Sequence, residues 1–165
     1  MRILGIDPGY AIVGFGVIDM DNRRMCKVVD YGAITTHKDT PFPERLEIIG
    51  KSLAKIIEQY KPDCLAIEEL FFNSNTTTAI AVAEARGVIL YVCKLSGIKM
   101  FEYTPLQIKQ ALTGNGRAEK KQVQYMTKVI LKLASVPKPD DTADALAVAL
   151  CHSQTNSSLV NNQIR

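Results

Sequence analysis

Apolar and polar positions follow one another in blocks over the first 34 residues, and these blocks predict three short strands. The runs span 2–7, 12–18 and 26–34, and they are separated by Pro8-Gly9 and by the polar residues 21–23. Because turns this short join neighbouring strands that run in opposite directions, the pattern predicts an antiparallel meander.

The next two blocks predict a crossover from this meander to a parallel strand. From Phe42 to Tyr60, apolar residues recur every three or four positions, which is typical of an amphipathic helix. The continuous apolar run over 64–67 is typical of a strand buried on both faces. A helical crossover leaves this strand parallel to the first one. Asp7 and Glu68, which end the two runs, are therefore expected at the same edge of the sheet.

The second half of the chain is predicted to be mostly helical. We expect helices over 76–94, 105–112, 119–133 and 140–152, and one further strand over 97–101. The chain has 165 residues, which fits a single domain over 1–153. The polar residues 154–165 are predicted to form a disordered tail.

The predicted helix over 76–94 carries apolar residues on more than one face. A helix of this kind needs two packing partners, its own sheet and something else. Self-association through this helix is one interpretation, and complete burial within the monomer is the other.

Composition excludes several classes of protein. The chain is 47% hydrophobic and 22% charged, and it has no apolar run long enough to cross a bilayer and no signal-peptide pattern at its start, so we expect a cytoplasmic protein with no membrane contact. Its four cysteines form no Cys-x-x-Cys pair and it has only two histidines, which argues against disulfides and a structural zinc.

Basic residues concentrate in one stretch. Between 94 and 138 the chain has nine lysines and arginines but only Glu102 and Glu119 as acids. This stretch is a candidate surface for a polyanion. The alternative is that these side chains only solvate the outer faces of helices.

Carboxylates come from three separate segments. Asp7 ends the first strand, Glu68 and Glu69 follow the apolar run of the fourth, and 140–144 (DDTAD) begins the last helix. Carboxylates that lie close together repel one another and stay protonated unless a positive charge separates them. The pattern predicts a site for hard, oxygen-binding cations. An acidic cluster that only complements the helix dipole is the alternative for 140–144.

The order of elements and five short motifs resemble one known family. The motifs are at 5–9 (GIDPG), 66–71 (AIEELF), 85–88 (ARGV), 118–120 (AEK) and 141–147 (DTADALA). In this order, over about 2–153, they resemble the RuvC family of Holliday-junction resolvases. The resemblance implies the ribonuclease-H-like α/β fold: a mixed five-stranded sheet, with three antiparallel and two parallel strands, flanked by helices.

The resemblance also implies a nuclease site. The catalytic and metal-binding acids would be Asp7, Glu68, Asp141 and Asp144, holding two Mg²⁺ ions, with Mn²⁺ as a substitute. On a strand Glu69 would face away from Glu68, and Asp140 is placed to cap the last helix. The implied reaction nicks two strands of a four-way junction symmetrically and leaves 5′-phosphate and 3′-hydroxyl ends, in DNA recombination and repair.

DNA contacts are implied at further positions. Lys109 and Lys120 would lie near the scissile strand, and Phe71 would stack on unpaired bases with help from Phe72. From the basic stretch we add the DNA-binding candidates Arg117 and Lys121. The alternatives are ordinary solvated lysines and a core phenylalanine at the end of the sheet.

Partners follow from the resemblance as well. They are junction DNA, a second copy of the chain bound through 76–94, and the branch-migration proteins RuvA and RuvB. Two other classes are compared. Actin-like phosphotransferases need two such domains around ATP, for which 165 residues leave no room. A non-catalytic junction-binding module would be expected to have lost some of the four acids.

Overall fold

The described residues, 1–70, 76–155 and 162–164 of a computed structural model, are organised around a five-stranded mixed sheet. In chain order the strands are β1 (Arg2–Asp7), β2 (Ile12–Met20), β3 (Cys26–Thr35), β4 (Cys64–Glu68) and β5 (Lys99–Tyr103). They lie side by side in the order β3-β2-β1-β4-β5. The first three strands pair antiparallel, and β1, β4 and β5 run parallel. The predicted fold class is confirmed.

Five helices within the described residues pack on the two faces of this sheet. They are α1 (Phe42–Tyr60), α2 (Thr76–Leu95), α3 (Pro105–Thr113), α4 (Lys120–Ile130) and α5 (Asp140–Gln154). No helix among the described residues is long and apolar enough to span a lipid bilayer.

Each face of the sheet has its own hydrophobic core. Leu4 and Ile6 of β1 face α1 and α2, where they meet a cluster that includes Ile49 and Ile89. On the opposite face Ile3 belongs to the cluster formed with α3, α4 and α5. Successive residues of a strand point to opposite faces, so Asp7 belongs to the face that α5 covers.

α5 approaches β1 and β2 so closely that glycine is required at the contact. A Cβ atom placed on Gly5 would lie 2.1 Å from the carbonyl oxygen of Ala145, and one on Gly14 would lie 2.0 Å from that of Asp141. Both distances are far below van der Waals contact. The two glycines therefore set the height of α5, and of the carboxylates in its first turns, above the sheet.

Several predicted boundaries differ from the structure, and those of β5 and α4 differ most clearly. The predicted strand over 97–101 is found at Lys99–Tyr103, because Gly97 is still in a left-handed turn, at φ 71°. The predicted helix over 119–133 ends at Ile130, and Lys132 has φ 53°. Leu131 is buried all the same, which explains why the apolar pattern continued past the helix.

At Gln154 and at 162–164 the structure differs from the disordered tail that the sequence predicts over 154–165. Gln154 belongs to α5, and 162–164 lie against the free edge of β5. The N–H of Ile164 donates to the carbonyl oxygen of Met100 at 2.9 Å, and Ile164 packs against the core on the α1–α2 face. An unpaired strand edge and one apolar side chain account for this docking.

Candidate active site

Three of the four predicted catalytic carboxylates line one cavity. Asp7, Glu68 and Asp144 border a space of about 370 Å³, which we call the acidic cavity. The parallel ladder of β1 and β4 pairs Ile6 with Ile67, so that Asp7 and Glu68 come next on neighbouring strands. Asp144 comes from the second turn of α5. Matched strand ends and one closely packed helix bring these remote acids together.

The turn that follows Asp7 is held in place by polar contacts. The carbonyl oxygen of Tyr10 accepts hydrogen bonds from Thr36 Oγ1 at 2.7 Å and from the Arg45 guanidinium at 3.3 Å. The buried Arg45 also stacks on the Tyr10 ring, 4.5 Å from its centroid. These contacts restrict the backbone just after Asp7.

Two of the predicted DNA-binding lysines border the acidic cavity, and two other basic candidates do not. Lys109 and Lys120 line it, and Lys120 Nζ lies 2.6 Å from Asp144 Oδ2. Lys121 lines a neighbouring groove. Arg117 is exposed in the loop before α4, where its backbone N–H donates to the Asn115 side chain at 2.9 Å. The structure thus brings Lys109 and Lys120 to the acids, whereas neither Arg117 nor Lys121 lines the acidic cavity.

The carboxylate of Asp7 is strongly perturbed. Burial raises its pKa well above the ordinary value, and the charges of Glu68, Asp144 and Asp141 raise it further. Lys120 acts in the opposite direction but does not outweigh them. Asp7 therefore resists ionisation without additional positive charge nearby.

The neighbouring groups are perturbed in a consistent way. Burial, with the charge of Asp144, raises the pKa of Glu68 to about 7. Burial also raises the pKa of Asp144, although the hydrogen bond and charge of Lys120 oppose the change. Burial lowers the pKa of Lys120, but its contacts with Asp144 prevail and the net shift is upward. Clusters with perturbed pKa values of this kind are typical of functional sites.

Asp141, the fourth predicted acid, does not line the acidic cavity. Its side chain is half-buried one turn before Asp144, and its charge raises the pKa of both Asp7 and Asp144. It is therefore close enough to act on the other acids electrostatically.

Two further acids are placed away from the acidic cavity. Asp140 does not cap α5 as predicted: Pro139 holds the N-cap position, and Asp140 instead accepts a hydrogen bond from Lys138 Nζ at 2.6 Å. Glu69 lines a separate groove with Glu102, on another side of the sheet end from Glu68. The expectation that Glu69 faces away from Glu68 agrees with this placement.

The donor chemistry of the acidic cavity fits a hard divalent cation. Its charged acceptors are all carboxylates, and it has no cysteine or histidine lining, the set that Mg²⁺ and Mn²⁺ prefer. Burial and the repulsion between neighbouring carboxylates raise the pKa values of Asp7 and Glu68, and a bound cation would offset that repulsion. Among the described residues, however, no three acid, cysteine or histidine side chains already enclose an ion.

Sequence reasoning missed one polar residue next to these acids. Gln124 is a buried residue of α4, and its amide acts to lower the pKa of both Asp140 and Asp144. It lies one helical turn after Lys120, and this i, i+4 spacing is the signal that could have identified it. The predicted stacking residues Phe71 and Phe72 lie outside the described residues.

The comparisons with known proteins agree with this geometry. The family model for crossover junction endodeoxyribonuclease RuvC matches residues 3–152. The RuvC crossover junction endodeoxyribonuclease of Brevibacillus brevis is 54% identical over 154 residues, which cover 93% of this chain and 92% of that protein.

The chain belongs to the RuvC family. Membership makes it a nuclease of the hydrolase class, and RuvC-family nucleases depend on metal ions. Among solved structures, Thermus thermophilus RuvC in complex with Holliday junction substrate superposes with a TM-score of 0.89 at 29% identity, over 99% of this chain and all of that one.

A more distant structure extends the likeness of the fold. The yeast mitochondrial Holliday junction resolvase has a TM-score of 0.69 at 12% identity, covering 92% of this chain and 77% of that one. At this identity the match concerns the fold alone. The RuvC family and this resolvase share the ribonuclease-H-like architecture described above.

Proposed function

We propose that this RuvC-family chain resolves four-way DNA junctions by nicking two strands symmetrically, leaving 5′-phosphate and 3′-hydroxyl ends. The observation that carries the proposal is the acidic cavity, in which Asp7, Glu68 and Asp144 meet beside Lys109 and Lys120. Cleavage of a phosphodiester uses both kinds of group: carboxylates hold the catalytic cations, and ammonium groups hold the phosphate.

The roles of the acids follow from their positions. Asp7, Glu68 and Asp144 would hold two Mg²⁺ ions, or Mn²⁺ in their place, with Asp141 completing the set. When bound, such ions supply an activated water and stabilise the leaving oxygen. The rigid ends of β1 and β4 orient two of the carboxylates before substrate arrives. Because the activated water would act as the nucleophile, the protein itself needs no nucleophilic side chain.

The basic residues bind and orient the DNA. Lys120 neutralises Asp144 at 2.6 Å in the free protein and is placed to offset charge on the reacting phosphate. Lys109 borders the same cavity from α3 and would hold the scissile strand. Arg117 and Lys121 would contact phosphates farther along. Phe71, assisted by Phe72, keeps its proposed role of stacking on unpaired bases at the junction.

Two symmetric cuts require two sites, and a two-fold dimer supplies them. One face of α2 is buried against the sheet through Ala85, Ile89 and Cys93. On its other side Ile80 and Tyr91 are 72% and 63% exposed, and their spacing of eleven residues places them on one stripe of the helix. These exposures support the proposal of a homodimer through 76–94. We further propose that the dimer acts in the cytoplasm with RuvA and RuvB.

The test is cleavage of a synthetic immobile junction and a plain duplex, each with Mg²⁺. The proposal predicts paired, symmetric nicks in the junction alone, lost in Asp7→Asn and retained in Glu58→Gln, which changes an exposed carboxylate on α1. Equal cutting of both substrates would make the chain a general nuclease. Tight junction binding without cutting would make it a binding module, and turnover of ATP would favour a phosphotransferase.

A further inference from the structure

A second groove lies next to the acidic cavity, and neither the acids nor their lysines use it. It has a volume of about 500 Å³ and lies between the end of α3, the loop after it and α4. We call it the α3–α4 groove. Lys120 lines the acidic cavity and the next residue, Lys121, lines the groove. The two spaces are thus separated by only the first turn of α4.

An exposed aromatic ring lines this groove. Tyr125 lines it and is 60% exposed. On α4, Lys121, Tyr125 and Lys128 are spaced i, i+4 and i+7, which places them on one stripe of the helix. The stripe is about 10 Å long. This length equals about three phosphate-to-phosphate spacings along one DNA strand.

Among the described residues, the one charged residue that lines the groove, Lys121, is basic. No residue that lines the groove is acidic, and neither α3 nor α4 contains an aspartate or glutamate. Glu119, directly before α4, is not among the lining residues. Thr113 and Asn115 add polar groups at the opposite wall. Cations that flank an exposed ring, with hydrogen-bonding side chains nearby, match the chemistry of a nucleic acid strand.

We propose that the α3–α4 groove binds one strand of a duplex arm of the junction, with phosphates at Lys121 and Lys128 and a deoxyribose against the Tyr125 ring. The inference rests on the proposed function, since it takes the strand held at the acidic cavity to continue past the first turn of α4. A DNA strand is favoured over an acidic peptide because the groove adjoins the site proposed for the scissile phosphodiester.

The test measures junction affinity and cleavage separately. Tyr125→Ala is expected to raise the dissociation constant for an immobile junction about tenfold, with a much smaller effect on the single-turnover rate at saturation. Tyr125→Phe keeps the ring and should stay within about twofold of the wild type. Replacing Lys121 and Lys128 together by alanine should reduce the slope of log affinity against log salt by about 2, because each phosphate contact contributes about 0.9.

The matched control is Lys51→Ala with Lys55→Ala, a pair of exposed lysines on α1, which covers the opposite face of the sheet. This pair should change neither affinity nor salt slope by a comparable amount. If the wild type cuts junctions and Tyr125→Ala binds them as tightly as the wild type, the inference about the groove fails alone. If the wild type does not cut junctions, the proposed function fails.

Discussion

Alanine at Gly5 would force α5 away from the sheet. The added Cβ atom would lie 2.1 Å from the carbonyl oxygen of Ala145, whereas ordinary contact begins at 3.4 Å. Relief therefore needs a movement of about 1 Å, and backbone on both sides of the contact cannot rotate away as a side chain could. Overpacking of this kind costs about 1–3 kcal/mol, and we expect about 3 kcal/mol for a backbone clash.

Urea unfolding measures the loss of stability. With a slope of about 2 kcal/mol/M, the expected loss moves the midpoint down by about 1.5 M. The same movement displaces Asp144 relative to Asp7, and a displacement of about 1 Å can lower a catalytic rate about 100-fold. The single-turnover cleavage rate of the folded Gly5→Ala protein should fall by this factor.

Lys55→Ala is the control. Lys55 is an exposed residue of α1, which covers the opposite face of the sheet from α5. Because its side chain lies on the surface of a helix and alanine favours helix, this variant should unfold within about 0.5 kcal/mol of the wild type. The packing argument is refuted if Gly5→Ala and Lys55→Ala unfold at the same urea concentration.

Three further predictions concern single side chains. Lys120→Met removes the ammonium group 2.6 Å from Asp144 and should lower the single-turnover rate about 100-fold at little cost in stability, since the lysine is largely exposed; a loss below threefold would contradict its role. Burial lowers the pKa of His152 to about 4, so the unfolded chain takes up the proton first and the contribution of His152 to stability falls by up to about 3 kcal/mol between pH 6.5 and pH 4, whereas the raised pKa of Glu68 acts in the opposite direction; an NMR titration of His152 with a pKa near 6.5 would contradict this. Thr104→Ala removes the side-chain cap of α3 and should cost about 1 kcal/mol in urea unfolding, and an unchanged midpoint would argue against the cap.

The sheet could be predicted from the sequence because its signals are local. Short turns join β1 to β2 and β2 to β3, and the apolar run at β4 has no helical spacing. Because β1 and β4 run parallel, the strand ends that carry Asp7 and Glu68 lie at the same edge of the sheet. The acids themselves predicted that the segment 140–144 joins Asp7 and Glu68 in one site, whereas the choice of Asp144 within that segment came from the resemblance.

Other features depend on tertiary contacts that no local pattern reveals. Leu131 is buried after α4 has ended, so its spacing alone could not mark the end of the helix. Asp140 pairs with Lys138 instead of capping α5, because Pro139 occupies the N-cap position. Ile164 docks on β5 because that strand has a free edge, which becomes known only from the strand order.

The proposed assignment of the acids depends on their holding divalent ions together, and Mn²⁺ binding measured by electron paramagnetic resonance on the full chain tests it most directly. The wild type and the surface control Glu58→Gln should bind Mn²⁺ equally well, whereas Asp7→Asn and Asp144→Asn should each weaken binding at least tenfold without lowering the urea midpoint, because burial raises the pKa values of both carboxylates. Equal Mn²⁺ binding by all four proteins would contradict the assignment of these carboxylates as the metal ligands.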